Sequence, residues 1–402
     1  MNLTPRGCSS IGGELASYME ECRNRTMGMF SSYGYNPFNP AEFQLLEGVM
    51  KNLPRKRRER VIVVSSPFGE PCCMRADLTL SALSYMALHH APEEFPLRLC
   101  YADRVFSAPK PPKANLEDTQ VGIELLGWEG LGSDVEVAAI LLKALDSLGL
   151  TESVIVLGDA SIASGVFPNL PAGFSGKLVE YLQEGSYYDY TRAVDSVDGV
   201  SDADRRILRE LPRLKGSIDI LGEAEEILGS RMPLHPLREI CGSLDALGYG
   251  RRVRIDLGFT RDLGYYCGPI FNVYATGDGG LLGGGGRYAG VLSDVRFSCQ
   301  AVGFGLSLRE LAMARHPEAR PARVMIWSGS LPPSAALGYA ADLAERGVSF
   351  EISWNPDDLE SRNFAASRGC GLWVNLQDDY ALDMAVGTRT KPEAIGGPRR
   401  CQ

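Results

Sequence analysis

Residues Arg261–Phe271 read RDLGYYCGPIF, and twelve positions after Phe271 begins the run GGGGRYAGV, Gly283 to Val291. An aromatic, arginine-bearing strand segment leading into consecutive glycines restricts what the surrounding chain can build. Glycine tolerates backbone conformations and close approaches that a Cβ forbids, so the run reads as a glycine loop following a strand. Main-chain N–H groups of such a loop can come close to a ligand, while Tyr265 and Tyr266 offer a flat apolar wall with polar tips. The pattern alone leaves two readings open: an ordinary hairpin with a glycine-rich turn, or a cradle for a small polar molecule.

With 402 residues the chain has material for two or three domains and a large core. Its apolar and charged fractions, 45% and 23%, are those of an ordinary globular protein. No apolar run is long enough to cross a membrane, and the opening MNLTPRGCSSIGGE has neither the basic region nor the apolar stretch of a signal peptide. The ten cysteines are scattered with no CxxC, and there are only four histidines, so no metal site is expected and reduced cytoplasmic thiols are. A net charge of −9 argues against a nucleic-acid partner, which would call for a basic face. The one concentrated basic run, Arg55 to Arg60 within KNLPRKRRERV, reads as a solvated turn before a strand.

Periodicity gives an α+β pattern. Leu15, Tyr18, Met19, Cys22, Met29 and Phe30 form a helical face ending at Gly34, and Tyr35–Pro40 is fixed in extended form by its prolines. Val61–Val64 reads as a buried strand; Leu97–Phe106 and Thr119–Gly127 read as two strands around the loop SAPKPPKANLED. Ser133 and Glu136 have the spacing of a capping box for a helix that stops at Gly149. The stretch 160–245 reads as a mostly helical insertion, after which RVRIDLG, CGPIFNVYAT and QAVGFGLSL return to strands. The proline- and arginine-rich segment Arg315–Arg323 reads as a linker closing a domain of residues 1–318, with a small α/β domain over 322–402.

Several of these segments, in order, resemble motifs of the histidyl-tRNA synthetases. GYNPFNPAEF resembles the dimer-forming first motif of class II enzymes, and MRADLT resembles the RPEGT-type segment, with Asp77 for its carboxylate and Thr79 for its threonine. TQVGIELLG resembles the histidine-binding stretch through Gln120 and Glu124, and RDLGYYCGPIF matches the RGLDYYTGTVF-type motif with Arg261, Tyr265 and Tyr266 in register. The resemblance implies an antiparallel sheet flanked by helices and a histidine-binding site at Asp77, Thr79, Gln120, Glu124, Arg261, Tyr265 and Tyr266. The chemistry of those groups suits free histidine: carboxylates and amides for an ammonium, polar partners for each ring nitrogen inside an aromatic slot. Gln120 and Glu124 share one face of a strand, and a glutamate amid VGIELLG calls for a ligand or a buried partner, since an unpaired buried charge is costly.

The departures matter as much. Where class II enzymes hold ATP with an arginine after the first strand of motif 2, this chain has Ser107, and the next ten residues contain no arginine. Where motif 3 supplies a second arginine, Arg309 and Glu310 stand in swapped order, placing an anion where phosphate should be met. One helical step turns a side chain by about 100°, so Arg309 is not expected to substitute. A kept histidine pocket without adenylation chemistry resembles the regulatory subunits of ATP phosphoribosyltransferase, non-catalytic members of this group. That resemblance implies no catalytic residues and no cofactor, L-histidine as feedback effector in histidine biosynthesis, dimerisation with itself, and a short-form catalytic subunit as partner in a hetero-octamer of four and four. Two other classes stay open: a working histidyl-tRNA synthetase and a free-standing histidine sensor.

Overall fold

In the computed structural model, residues 3–109, 115–161, 170, 173–229, 234–261, 265–277, 280–290, 299–314 and 323–395 are described. The chain divides into two compact units, Met1–His316 and Pro317–Gln402. The expected linker, Arg315–Arg323, lies outside the described residues except for Arg323.

The first unit is organised on a nine-stranded, mostly antiparallel sheet flanked by helices, as expected. In chain order its strands are β1 (Asn36–Pro37), β5 (Leu97–Phe106), β6 (Glu117–Leu126), β7 (Val154–Asp159), β8 (Lys215–Gly216), β9 (Val253–Asp256), β10 (Tyr266–Tyr274), β11 (Leu281–Tyr288) and β12 (Ala301–Ser307). Across the sheet they run β1-β5-β6-β12-β11-β10-β7-β9-β8. A small sheet, ordered β2-β4-β3, is made by β2 (Phe43–Leu45), β3 (Val63–Ser65) and β4 (Pro71–Met74). The strand expected at Val61–Val64 is thus β3, and it is not buried, because Val63 lies on an outer strand of this small sheet, 61% exposed.

Helices α1 (Gly13–Ser32) and α5 (Gly132–Ser147) cover one face of the large sheet, packing Cys22, Phe30, Ile140 and Leu141 on Val121, Ile123 and Leu125 of β6. Helix α4 (Leu78–His89) covers part of the other face, with Leu78, Ala82 and Met86 packing near Leu99, Tyr101 and Leu126. Strand alternation sorts the two sets. The capping box expected at Ser133 and Glu136 does not form. The Ser133 hydroxyl, already inside the helix, donates to the Gly130 carbonyl at 2.9 Å, while Glu136 takes Arg98 at 3.0 Å and the Tyr35 hydroxyl at 3.0 Å. The signal was local, and a tertiary ion pair took its carboxylate.

The larger difference lies at the glycines. Gly283–Gly286 are not a loop but the middle of β11, paired to β10 on one side and β12 on the other. Gly283 and Gly286 have φ of 157° and 153°, and ideal Cβ atoms on them would stand 2.1 Å from the Gly305 carbonyl oxygen and 2.6 Å from that of Pro269. Only glycine fits at such spacing.

The second unit carries a five-stranded sheet of β13 (Arg323–Trp327), β14 (Phe350–Ser353), β15 (Cys370–Asn375), β16 (Tyr380–Asp383) and β17 (Arg389–Thr390). Its order is β14-β13-β15-β16-β17, with Val324, Ile326 and Val374 packed on the helix Pro333–Glu345. On its other face the indoles of Trp327 and Trp373 stack at 5.5 Å.

Candidate functional site

A cleft of about 410 Å³ lies on the sheet face away from α5 and is lined by β5, β6, β11, β12 and the start of α4. Its floor is set by register. Cross-strand pairing aligns Tyr101, Gly122, Gly305, Gly284 and Asn272 in one row, and Glu124, Gly303 and Gly286 in the next. Of these floor glycines, Gly122, Gly284, Gly303 and Gly305 leave space beside a polar side chain. A Cβ on Gly122 would come within 2.7 Å of the Tyr101 hydroxyl, one on Gly284 within 2.1 Å of Arg261 Nη1, and one on Gly305 within 3.2 Å of Gln120 Oε1. The glycine run therefore makes room for side chains rather than presenting its N–H groups, because the strand is paired on both edges.

Glu124 is not itself among the lining residues; it lies directly beneath them, 1% exposed, under Thr79, Tyr101, Tyr288 and Gly303. Thr79 Oγ1 donates to Oε1 at 2.7 Å, Tyr101 to the same oxygen at 3.4 Å, and Tyr288 to Oε2 at 2.6 Å. Among the described residues no lysine, arginine or histidine pairs with it. Burial raises its carboxyl to about 7, against the lowering effect of the Tyr288 and Thr79 hydroxyls. Burial likewise pushes the Tyr101, Tyr265 and Tyr288 hydroxyls well above the usual range, with the Glu124 charge among the further causes. The result is a desolvated carboxylate held by hydroxyl donors, chemically ready for one more N–H.

The other expected residues gather around it. Asp77 caps α4 by accepting from the Leu80 N–H at 2.8 Å, and its second oxygen accepts from the Tyr265 hydroxyl at 3.3 Å. Tyr265 packs against Tyr266 at 5.1 Å and Tyr288 at 5.7 Å, giving the aromatic wall. Arg261 Nη1 donates to the Phe271 carbonyl at 2.8 Å and to Asn272 Oδ1 at 2.6 Å, with its guanidinium over the Tyr266 ring. Gln120 lines the cleft beside Asp118, whose other oxygen accepts from Ser307 at 2.7 Å. Asp262–Gly264 of the tyrosine motif lie outside the described residues.

At the positions read as lost, Ser107 and Glu310 both line the same cleft. Arg309 lines it too, so the expectation that one helical step would turn it away is corrected: it stands at the very start of the short helix Leu308–Ala314, where a long side chain can still reach the mouth. The basic turn is corrected as well. Arg57 and Arg60 line the cleft, and Arg60 donates to the Ala108 carbonyl at 2.8 Å and to Ser107 Oγ at 3.1 Å.

The sequence model of the histidyl-tRNA synthetase family matches residues 7–311. Among curated relatives, the ATP phosphoribosyltransferase regulatory subunit of Moorella thermoacetica is 28% identical over 384 residues, covering 93% of this chain and 97% of that one. That of Burkholderia lata is 30% identical over 362 residues, 85% of this chain and 90% of the relative. That of Bacillus subtilis is 32% identical over 287 residues, 69% and 73% of the two chains. The chain belongs to the ATP phosphoribosyltransferase regulatory subunit family.

The fold is that of the family's histidyl-tRNA synthetase-like members. A Bacillus halodurans structure titled as an ATP phosphoribosyltransferase regulatory subunit/histidyl-tRNA synthetase superposes with a TM-score of 0.79 at 22% identity, covering 93% of this chain and 97% of that one. A histidyl-tRNA synthetase from Nostoc sp. PCC 7120 gives 0.80 at 18% identity, with 97% of each chain covered. Within this regulatory-subunit chain, sequence reasoning missed Tyr101 and Tyr288, which hold Glu124. Tyr101 was findable, since it shares a strand face with Asp103 and Val105; Tyr288 was hidden once the glycines were read as a loop.

Proposed function

We propose that this chain is the non-catalytic regulatory partner of a short-form ATP phosphoribosyltransferase catalytic subunit, and that its cleft binds L-histidine as the feedback signal. The observation that carries the reading is the buried Glu124 carboxylate, surrounded by three hydroxyls and no cation among the described residues, directly beneath the lining of a cleft walled by Tyr265 and Tyr266. An imidazole N–H satisfies that carboxylate, and the α-ammonium finds Asp77 and Thr79 beside it. The names of the relatives support the regulatory role. The chain dimerises with itself, four copies assemble with four catalytic chains into a hetero-octamer, and it works in the cytoplasm and makes no histidyl adenylate.

Calorimetry of the purified chain with L-histidine tests this, alongside an ATP–pyrophosphate exchange assay. Glu124→Ala should weaken histidine binding by roughly 2–5 kcal/mol, the cost of removing one partner of a buried charged contact. In the complex it should relieve histidine inhibition and leave basal activity in place. No histidine binding by the wild type sinks the reading. Robust exchange would instead favour a synthetase, a reading to which Arg309 at the cleft lends a specific observation.

A further inference from the structure

The basic turn has no part in the reading above, yet it reaches the cleft. It follows Pro54 as the single-turn helix α3 (Arg55–Arg58) and sends Arg57 and Arg60 to the cleft wall. Arg60 is fastened to the end of β5, with Nε on the Ala108 carbonyl and Nη2 on Ser107 Oγ. Its guanidinium thus occupies the neighbourhood of Ser107, supplying a cation that position 107 itself lacks. Arg57 lies close enough to Tyr265 and Tyr266 for its charge to oppose the effect of burial on both hydroxyls. Arg309 comes from the far side, on β12's exit, and makes no ion pair among the described residues.

Acidic groups also line this wall: Glu310 stands next to Arg309 and offsets part of the rim's positive charge, while the others have other work. Glu117 faces Arg104 at 3.6 Å, Asp118 accepts from Ser307 and Gln120, and Asp77 caps α4. The cleft is therefore divided by charge. Its floor around Glu124 and Asp77 is acidic and hydroxyl-rich; its rim around Ser107 carries guanidinium groups from two separate segments of the chain.

We propose that this rim is an oxyanion subsite, in which Arg57 and Arg60 of the basic turn, with Arg309 opposite, bind a carboxylate or phosphate group of whatever ligand lies in the cleft. Planar guanidinium forks match both groups and remain charged at all working pH values. A zwitterionic amino acid would span the two halves, its cationic end at the floor and its carboxylate at the rim. A phosphate would fill the rim independently. The first source rests on the histidine reading; the second does not.

The test uses the full chain and calorimetry with three probes: L-histidine, L-histidinol (a hydroxymethyl group replaces the carboxylate) and inorganic pyrophosphate. The variants are Arg57→Ala and Arg309→Ala, with Arg57→Gln as the milder change if the first does not fold, and thermal melts to confirm folding. If the rim takes the amino acid's own carboxylate, Arg57→Ala weakens L-histidine by about tenfold or more and leaves L-histidinol unchanged. If it takes a phosphate, pyrophosphate binds the wild type and loses about tenfold or more in both variants while L-histidine is unaffected. Wild-type affinities for all three probes in folded Arg57 and Arg309 variants would overturn the subsite. A wild type that ignores L-histidine but binds pyrophosphate through Arg57 would remove the histidine reading and keep the subsite; one that binds no probe removes both.

Discussion

Gly303 is the cross-strand partner of Glu124, and a Cβ built on it would stand 1.9 Å from Oε2. The carboxylate is not the loose end of a mobile side chain, since Thr79, Tyr101 and Tyr288 all hold it. One hydrogen in place of one methyl group thus decides whether the acid can lie beneath the floor of the cleft.

Gly303→Ala should therefore destabilise the fold by about 1–3 kcal/mol, the range for overpacking a tight site. It should also abolish the heat of L-histidine binding. Urea unfolding and calorimetry on the same preparation check both. A stabilised variant, the usual outcome for glycine to alanine where space is open, would show that Glu124 has somewhere else to go.

The raised carboxyl of Glu124 sets a pH dependence with a definite sign. Between the ordinary value of 4.5 and about 7 the native state keeps the proton and the unfolded chain has lost it. Stability contributed through this group is therefore highest below 4.5, falls as pH rises to about 7 and then levels off. The full span is on the order of 3 kcal/mol. Asp134, Asp159 and Asp256 are also raised by burial, so the measurement is the difference between wild type and Glu124→Gln, followed by urea unfolding from pH 5 to pH 8. Parallel curves would mean that the carboxyl titrates normally.

Tyr288→Phe removes the shortest of the hydroxyl contacts, 2.6 Å to Oε2. At pH 8, where Glu124 is ionised, the loss should be about 1.5–3 kcal/mol, as for hydrogen bonds to charged groups. At pH 5, with the carboxyl protonated, the loss should be smaller. Equal losses at the two pH values would mean that the hydroxyl's contribution does not depend on the charge of Glu124.

On the opposite face of β11, Arg287 is buried against Asp134 at 2.5 Å, and it also donates to Gln300 at 2.7 Å, the Gly130 carbonyl at 2.6 Å and the Ser133 hydroxyl at 2.8 Å. Asp134→Ala leaves that guanidinium uncompensated and should cost about 3–5 kcal/mol. Replacing both partners by apolar residues of similar volume should cost far less. Chemical denaturation of the single and double variants decides whether the pair is held for its charge.

The elements that could be read from the sequence were those whose signal is local. The strand Leu97–Phe106 coincides with β5, and the strand of Gln120 and Glu124 alternates as its sequence suggests. What the sequence concealed depends on distant partners. Four glycines look like a turn until β10 and β12 are known to close on both sides. Ser133 and Glu136 look like a cap until Arg98 claims the glutamate. Arg57 and Arg60 look solvated because nothing near them in sequence announces that the turn folds back to Ser107. Six of the seven expected residues, Asp77, Thr79, Gln120, Arg261, Tyr265 and Tyr266, line one cleft, because their motifs lie on β6, on β10 and its approach, and at the start of α4. The seventh, Glu124, is buried beneath it and reaches it through Thr79, Tyr101 and Tyr288.

The glycine floor leaves the cleft without free main-chain donors underneath. Strands β11 and β12 spend their amides on each other and on their outer neighbours, so a ligand resting there meets a smooth surface with little to grip. All discrimination falls to a few side chains, Glu124 with its hydroxyl partners below and the others at the margins, and the main chain offers no reserve donor if one of them is lost. Such a site can change its ligand by exchanging very few residues while the sheet beneath stays as it is, which makes the scaffold easy to repurpose and its specificity easy to lose.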